Sequence, residues 1–153
     1  ARPTLEALTR RIVHAGPVGN GSLLKLVLNL PLAVYWQSLA EALALGHSGG
    51  LALDTMLDAV SDSGGALSAL SHKISMIVDD SADVAFDIAT MEKDARAILA
   101  VGAEFGIPMP ATTAALTAYS SAHAAGLGSA DAVAIIRYLL DSLDPSAIEQ
   151  SSP

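Results

Sequence analysis

The stretch Gly16-Pro-Val-Gly-Asn-Gly-Ser-Leu-Leu-Lys-Leu-Val-Leu-Asn29 decides how this chain of 153 residues folds, because a glycine-rich turn changes there into a long apolar helix. The helix is predicted over about residues 22–45. Since nearly every residue from Leu23 to Leu45 is apolar, most sides of the helix should be buried. The glycines let the chain turn into the helix, and either Asn20 or Ser22 is the predicted N-cap.

Lys25 is the only cation in this apolar helix, and Asn29 lies four residues later on the same face. Burying an unpaired ammonium group is costly, so Lys25 either extends its charged end to water or faces a polar cleft. A lysine desolvated among leucines would be shifted toward its neutral form, which suits acid–base chemistry near neutral pH.

The composition describes one apolar, acidic domain: 52% of the residues are hydrophobic, 16% are charged, the net charge is -8 and Cys is absent. This excludes disorder, disulfides and thiolate chemistry. Without a basic cluster, nucleic acid and anionic membranes are poor partners. The run from Leu26 to Ala40 is shorter than the roughly 18–20 residues that span a bilayer. The apolar excess fits a subunit that buries one surface against a partner.

Neither a metal site nor a secretory route is predicted. The four histidines share no metal-ligand spacing. No signal peptide is recognisable, so the cytoplasm is the expected location.

The remainder of the chain predicts an all-α fold of six to seven helices. Apolar periodicity predicts helices at residues 53–62, at 67–78 in one or two pieces, at 87–105, through the alanine-rich residues 111–125, and at 130–142 with Ser129 as N-cap. Pro31 should kink the long helix near residues 27–31, because it removes a backbone hydrogen bond. Residues 3–9 predict a short helix and residues 10–15 a short strand that has no partner strand in the chain.

Several stretches, in order along about residues 1–140, resemble the β-hydroxyacid dehydrogenase family, which includes 3-hydroxyisobutyrate dehydrogenase. The opening stretch resembles the family's interdomain pattern G-x-x-G-x-G-x-x-x-K-x-x-N-N. The further matches are residues 41–46 to E-A-L-x-L-(A/G), residues 86–94 to F-x-x-x-x-x-x-K-D, residues 106–110 to G-x-x-x-P, and residues 126–131 to G-x-G-x-x-D. The family usually has a second Asn next to the first, whereas here Asn29 is followed by Leu30 and Pro31, so the substrate stays open.

The resemblance implies a helical C-terminal domain of the 6-phosphogluconate dehydrogenase-like type. Residues 1–16 would be the tail of a missing NAD(P)-binding Rossmann domain, which explains the unpaired strand. Residues 17–143 would form the substrate-binding and dimerisation domain, and residues 144–153 a flexible tail. The cofactor would be NAD or NADP, bound mainly by the absent domain, and the long helix would pair between the subunits of a homodimer.

The resemblance also implies the site. Lys25 would be the general acid/base that exchanges a proton with the substrate oxygen. The residues on the substrate side would be Asn29, Asp94 and Gly21, and those on the cofactor side Lys93 and Phe86. From the residues alone, simpler roles stay open: a lysine reaching water, an interhelical hydrogen bond for Asn29, an exposed charge cluster at 93–94, and a core position for Phe86.

The implied activity is the NAD(P)-dependent interconversion of a 3-hydroxy acid, or another short hydroxy acid, and its semialdehyde or keto form, in the full-length protein. This chain by itself should be inactive, since hydride transfer needs the cofactor. Two alternatives remain. One is a non-catalytic helical homodimerisation module. The other is an imine reductase-like enzyme on the same fold, although those enzymes typically replace the lysine with a residue such as Asp or Tyr.

Overall fold

The computed structural model describes residue 9, residues 11–79 and residues 84–143. These residues form six α-helices: α1 Asn20–Ser48, α2 Leu53–Ser61, α3 Ile74–Asp79, α4 Ile88–Glu104, α5 Pro110–Ala122 and α6 Ala134–Leu143. A 3₁₀ turn at Leu70–His72 precedes α3, and a π-helical turn at His123–Leu127 follows α5. The predicted all-α fold class is confirmed, and of the one or two helical pieces predicted over residues 67–78, two short ones are present.

The segment before α1 differs from its prediction. Residues 11–16 form no strand, because an isolated strand has no neighbour to complete its hydrogen bonds. Instead, the Asn20 side-chain amide donates to the carbonyl of Ala15 at 2.9 Å. The prediction of Asn20 or Ser22 as N-cap is also wrong: Gly19 occupies the cap with φ 99° and no side-chain hydrogen bond. Residues 1–8, 10, 80–83 and 144–153 lie outside the described residues, and so do nearly all of the helix predicted at 3–9 and the flexible tail predicted at 144–153.

Helix α1 consists of two halves with different surroundings. The C-terminal half, residues 33–48, forms the centre of the core, with its most buried side chains at Ala33, Trp36, Leu39, Ala40 and Leu43. In the N-terminal half, residues 20–32, Leu23 is 37% exposed, Val27 57% and Leu28 63%. The expectation that most sides of the helix are buried is therefore wrong for its N-terminal half, which has fewer neighbouring elements to pack against.

The C-terminal half of α1 packs most extensively against α6 and also contacts α5 and α2. Tyr119 of α5 is fully buried and donates its hydroxyl to the carbonyl of Ala33 at 3.3 Å; burial raises the pKa of Tyr119 above its usual value. Helix α1 continues through Gly46 to Ser48 rather than ending near Leu45. A Cβ on Gly46 would collide with the sulfur of Met56 on α2, so glycine here serves close helix packing rather than helix termination.

Helix α4 is held at its start by two kinds of contact. Asp87 is its N-cap and accepts from the backbone N–H of Thr90 at 2.7 Å. The backbone N–H of Ile88 donates to the carbonyl of Ala130 at 2.9 Å, and that of Ala132 donates to the carbonyl of Phe86 at 2.8 Å. The loop before α6 therefore holds residues 86–88 in place, and α6 begins at 134 rather than at 130, without Ser129 as its cap.

By length and composition alone, α1 could cross a membrane, since its 29 residues include an 18-residue window of mean hydropathy 1.3. Its C-terminal half, however, lies at the centre of the core, and its N-terminal half is joined to α4 by an ion pair. These contacts assign α1 to the packing of the domain.

Candidate active site

The N-terminal half of α1 and the middle of α4 bring three of the predicted site residues together. Lys25 Nζ lies 2.8 Å from Asp94 Oδ2, and Asn29 Nδ2 donates to the same oxygen at 2.8 Å. Lys25 and Asn29 are one helical turn apart, so both can reach one carboxylate on the neighbouring helix. The pair separated by four residues thus defines a polar site within an otherwise apolar stretch of α1.

Asp94 is the buried member of this site, with 5% of its side chain exposed. Burial is the largest influence on its pKa and raises it, but the hydrogen bonds from Lys25 and Asn29 together outweigh burial and hold the pKa below its usual value. Asp94 is therefore a carboxylate near neutral pH, and it provides a fixed negative charge beside the Lys25 ammonium.

Lys25 is less buried than the sequence predicts: 55% of its side chain is exposed. The expectation of a lysine desolvated among leucines is wrong, because the leucines around it belong to the exposed half of α1. The alternative of a lysine facing a polar group matches the geometry. Its ammonium group is positioned by Asp94 and remains open to solvent and to a ligand approaching that surface.

Gly21 lies one turn before Lys25 on α1 and is exposed. A Cβ placed on Gly21 would meet nothing within 4 Å. The space above this turn is therefore open, and no close packing within the described residues requires a glycine at this position.

The two residues predicted on the cofactor side lie near the site without joining its hydrogen bonds. Lys93 is exposed beside Asp94, and its positive charge is a further, smaller cause of the lowered pKa of Asp94. Phe86 is half-buried and lines a cavity together with Asn29. Lys93 thus adds charge at the surface, whereas Phe86 contributes a wall beside the site.

The sequence reasoning missed a second lysine–carboxylate pair. Lys73 Nζ lies 2.6 Å from Asp131 Oδ2, with 14% and 5% of the two side chains exposed. The same oxygen accepts from the backbone N–H of Ala85 at 3.0 Å and of Phe86 at 3.4 Å. The only sequence signal was Asp131 at the end of the G-x-G-x-x-D stretch, because Lys73 lies 58 residues away in the chain.

A cluster around Glu92 was also missed. Its carboxylate contacts His123 Nδ1 at 2.5 Å, Arg96 Nη2 at 2.5 Å and Ser120 Oγ at 2.9 Å. These hydrogen bonds, led by that of His123, lower the pKa of Glu92 to about 2. The cluster ties α4 to α5. Within the described residues, no group of three or more His, Asp and Glu side chains could hold a metal ion.

Several cavities adjoin the N-terminal half of α1, including one of about 370 Å³ against Val13 and Ala15, before the helix begins. A groove of about 260 Å³ runs between this half and the C-terminal part of α4, lined by apolar side chains that include Leu23, Val27, Ile98, Val101 and Phe105. A smaller cavity of about 190 Å³ lies between Asn29 and the Lys73–Asp131 pair. Asn29 links the Asp94 site to the smaller, part-polar cavity, whereas the apolar groove lies along the same half of α1.

Comparisons with known proteins agree on one family. The family described as NAD-binding of NADP-dependent 3-hydroxyisobutyrate dehydrogenase matches residues 19–139. Glyoxylate/succinic semialdehyde reductase 1 of Arabidopsis thaliana is 33% identical over 135 residues, which are 88% of this chain and 46% of that protein. The 2-(hydroxymethyl)glutarate dehydrogenase of Eubacterium barkeri is 35% identical over 139 residues, 89% of this chain and 46% of that protein.

Solved structures give the same result. The crystal structure of 3-hydroxyisobutyrate dehydrogenase from Salmonella typhimurium superposes with a TM-score of 0.82 at 27% identity, covering 90% of this chain and 48% of that one. The Mycobacterium tuberculosis 3-hydroxyisobutyrate dehydrogenase with L-serine gives 0.77 at 27% identity, covering 90% and 50%. The chain thus spans about half the length of the relatives that it matches.

Proposed function

The chain belongs to the family described as NAD-binding of NADP-dependent 3-hydroxyisobutyrate dehydrogenase, and from this premise we propose that it forms the substrate half of an oxidoreductase. The full-length protein would interconvert a 3-hydroxy acid, or another short hydroxy acid, and its semialdehyde or keto form. The observation that carries the proposal is the convergence of Lys25 and Asn29 on Asp94 Oδ2, at 2.8 Å each.

Lys25 is the general acid/base in this proposal. In the reductive direction its ammonium group gives a proton to the substrate carbonyl oxygen, and in the oxidative direction the neutral amine takes the hydroxyl proton. Asp94 holds the Lys25 side chain in place through the 2.8 Å contact. Because 55% of the Lys25 side chain is exposed, water can return the proton after each turnover.

Asn29 positions the site through Asp94. One hydrogen of its amide group goes to Asp94 Oδ2, which leaves the second N–H to donate to a substrate carboxylate. Gly21 adds open space on the same face, one turn before Lys25. Together, these residues would bind a substrate by its carboxylate and place its reacting hydroxyl or carbonyl oxygen near Lys25.

The family description supports NAD or NADP as the cofactor. When bound, the nicotinamide supplies or accepts the hydride. The exposed cation of Lys93, next to the site, suits an anionic dinucleotide. Since the described residues contain no βαβ unit, we propose that an N-terminal Rossmann domain holds most of the cofactor and that this chain alone does not turn over.

We also propose that two copies pair through the N-terminal half of α1, where Val27 and Leu28 are 57% and 63% exposed. Apolar side chains in such a patch gain free energy when a second copy covers them. Sedimentation of the full-length protein should give a dimer, and Leu28→Asp should shift it toward monomer. A wild-type monomer would contradict this pairing.

The activity is tested with the full-length protein and a panel of hydroxy acids and semialdehydes, each with NAD(H) and NADP(H). Formation or loss of the reduced nicotinamide reports turnover. The proposal predicts turnover for at least one acid–semialdehyde pair, and none from the isolated chain. Absence of turnover with every pair and both cofactors would overturn the proposal.

A further inference from the structure

The cavity behind Asn29 is large enough for one substituent of a ligand but too small for a whole ligand. Its volume is about 190 Å³, whereas pockets for whole ligands measure about 300–1,000 Å³ and an engineered apolar cavity of about 150 Å³ takes benzene. Its apolar walls come from Leu32, Trp36, Ala69, Phe86, Met91 and Ala132. A group between an isopropyl and a phenyl group in size matches this space, and a methyl group would leave most of it empty.

The cavity shares one residue, Asn29, with the proposed site. Asn29 lies in its lining and shares Asp94 Oδ2 with Lys25 through hydrogen bonds of 2.8 Å on each side. A substrate whose carboxylate meets Asn29 and whose oxygen meets Lys25 would therefore direct its substituent toward this space.

The polar end of the cavity carries balanced charge. The Lys73 ammonium is paired with Asp131 Oδ2 at 2.6 Å, and Asp131 Oδ1 accepts from the backbone N–H of Val133 at 3.2 Å. The charge of Lys73 is thus already matched by a buried carboxylate. A second carboxylate entering the cavity would meet that carboxylate, and the described lining residues offer no unpaired cation to offset it, which is unfavourable.

We propose that this cavity receives a bulky, uncharged substituent on the carbon between the carboxylate and the reacting carbon. The substrate class is then a 3-hydroxypropanoate with a branched alkyl or aryl group at C2, or the corresponding semialdehyde, rather than a dicarboxylic acid. This inference rests on the proposed function and adds to it the size and charge of the substituent.

The first experiment measures kcat/KM of the unmodified full-length protein for 3-hydroxypropanoates with hydrogen, methyl, isopropyl, phenyl or carboxymethyl at C2. We expect at least about a tenfold rise from methyl to isopropyl, since two further carbons become buried. The kcat/KM of the carboxymethyl compound should be lower than that of the isopropyl compound. A methyl compound equal to or better than both bulky compounds, or a carboxymethyl compound ranked first, would overturn the inference.

The second experiment fills the cavity with Ala69→Leu, and its matched control is Ala114→Leu at an exposed position of α5. The ratio of kcat/KM for isopropyl over methyl should fall about tenfold in Ala69→Leu and stay within about twofold in the control. An unchanged ratio in a folded Ala69→Leu protein would overturn the inference. If that variant does not fold, the order of the kcat/KM values measured for the unmodified protein tests the inference by itself.

These outcomes separate the two proposals. Turnover that does not follow substituent size contradicts only the cavity inference and leaves the oxidoreductase proposal intact. Absence of turnover with every compound of the panel and of the wider hydroxy-acid set contradicts both.

Discussion

The two halves of α1 have similar apolar sequences and opposite surroundings. In the C-terminal half, Leu39 and Leu43 are 5% and 1% exposed and lie in the core. In the N-terminal half, Val27 and Leu28 are 57% and 63% exposed. The hydrophobic effect acts in both halves, but within the described residues the C-terminal half is covered by several helices, whereas the N-terminal half meets α4 and leaves its other sides exposed.

The difference separates the stabilising part of one helix from the part that carries the proposed chemistry. The C-terminal half contributes buried area and fixes the helix in the domain. The N-terminal half presents Lys25 and Asn29 to Asp94 on α4, at a surface where a substrate, a cofactor domain or a second copy can approach. The packed C-terminal half of α1 thus fixes the position of the exposed N-terminal half, which suits a site whose groups need fixed positions.

The largest expected effect comes from truncating one leucine in each half. Leu43→Ala should lower the free energy of unfolding by about 2–5 kcal/mol, because it leaves a cavity in the core. Leu28→Ala, the matched control in the other half, should change it by about 0.5 kcal/mol or less in the monomer. Denaturant unfolding of the isolated chain measures both, and equal losses would contradict the division of α1 into a buried and an open half.

A smaller loss of unfolding free energy is expected at the contact between the N-terminal half of α1 and α4. Asp94→Asn keeps the side-chain shape but removes the charge opposite Lys25, and should cost about 1–2 kcal/mol near neutral pH. The folded-state pKa of Asp94 is lowered, so its contribution is present above the ordinary value of 3.8 and lost as the pH falls below it.

Unfolding of wild type and Asp94→Asn at pH 7 and at pH 3 measures this contribution. The difference between them should shrink at the lower pH. A difference that grows on acidification would contradict the assignment of Asp94 as an ionised partner of Lys25.

The smallest effect is expected at Glu92, which lies away from the Lys25–Asn29–Asp94 contact and joins α4 to α5. Its pKa is lowered from 4.5 to about 2, first by His123 and then by Arg96 and Ser120. Its contribution is therefore present above about pH 4.5 and lost between that value and about pH 2. Because Arg96 and His123 are 60% and 47% exposed, Glu92→Gln should cost about 1 kcal/mol or less at pH 7.

The difference between the two halves of α1 also shows which features the sequence could predict. Periodicity and the glycine and proline breaks predicted the all-α class and the approximate places of the helices. They could not predict that one half of an evenly apolar helix is open, because burial depends on which elements fold beside it. The spacing of Lys25 and Asn29 indicated a polar face on α1, and resemblance supplied Asp94.

What the sequence did not indicate depends on contacts between distant residues. Lys73 and Asp131 are 58 residues apart, and Glu92 and His123 are 31 apart. Each pair joins separate elements, so no local pattern connects its members. The strand predicted at residues 10–15 failed for a related reason, since a strand is defined by a partner that the described residues do not provide.

The most direct test of the central claim, that Lys25 exchanges the proton, is the kcat of Lys25→Arg in the full-length protein, on the substrate with the highest turnover. Arginine keeps the positive charge opposite Asp94 but does not lose its proton at neutral pH. Ser22→Ala, an exposed position in the same half of α1, is the control. The account predicts that kcat falls about 10²- to 10⁴-fold with unfolding unchanged, whereas a kcat within about tenfold of wild type would show that Lys25 supplies only charge and would contradict the account.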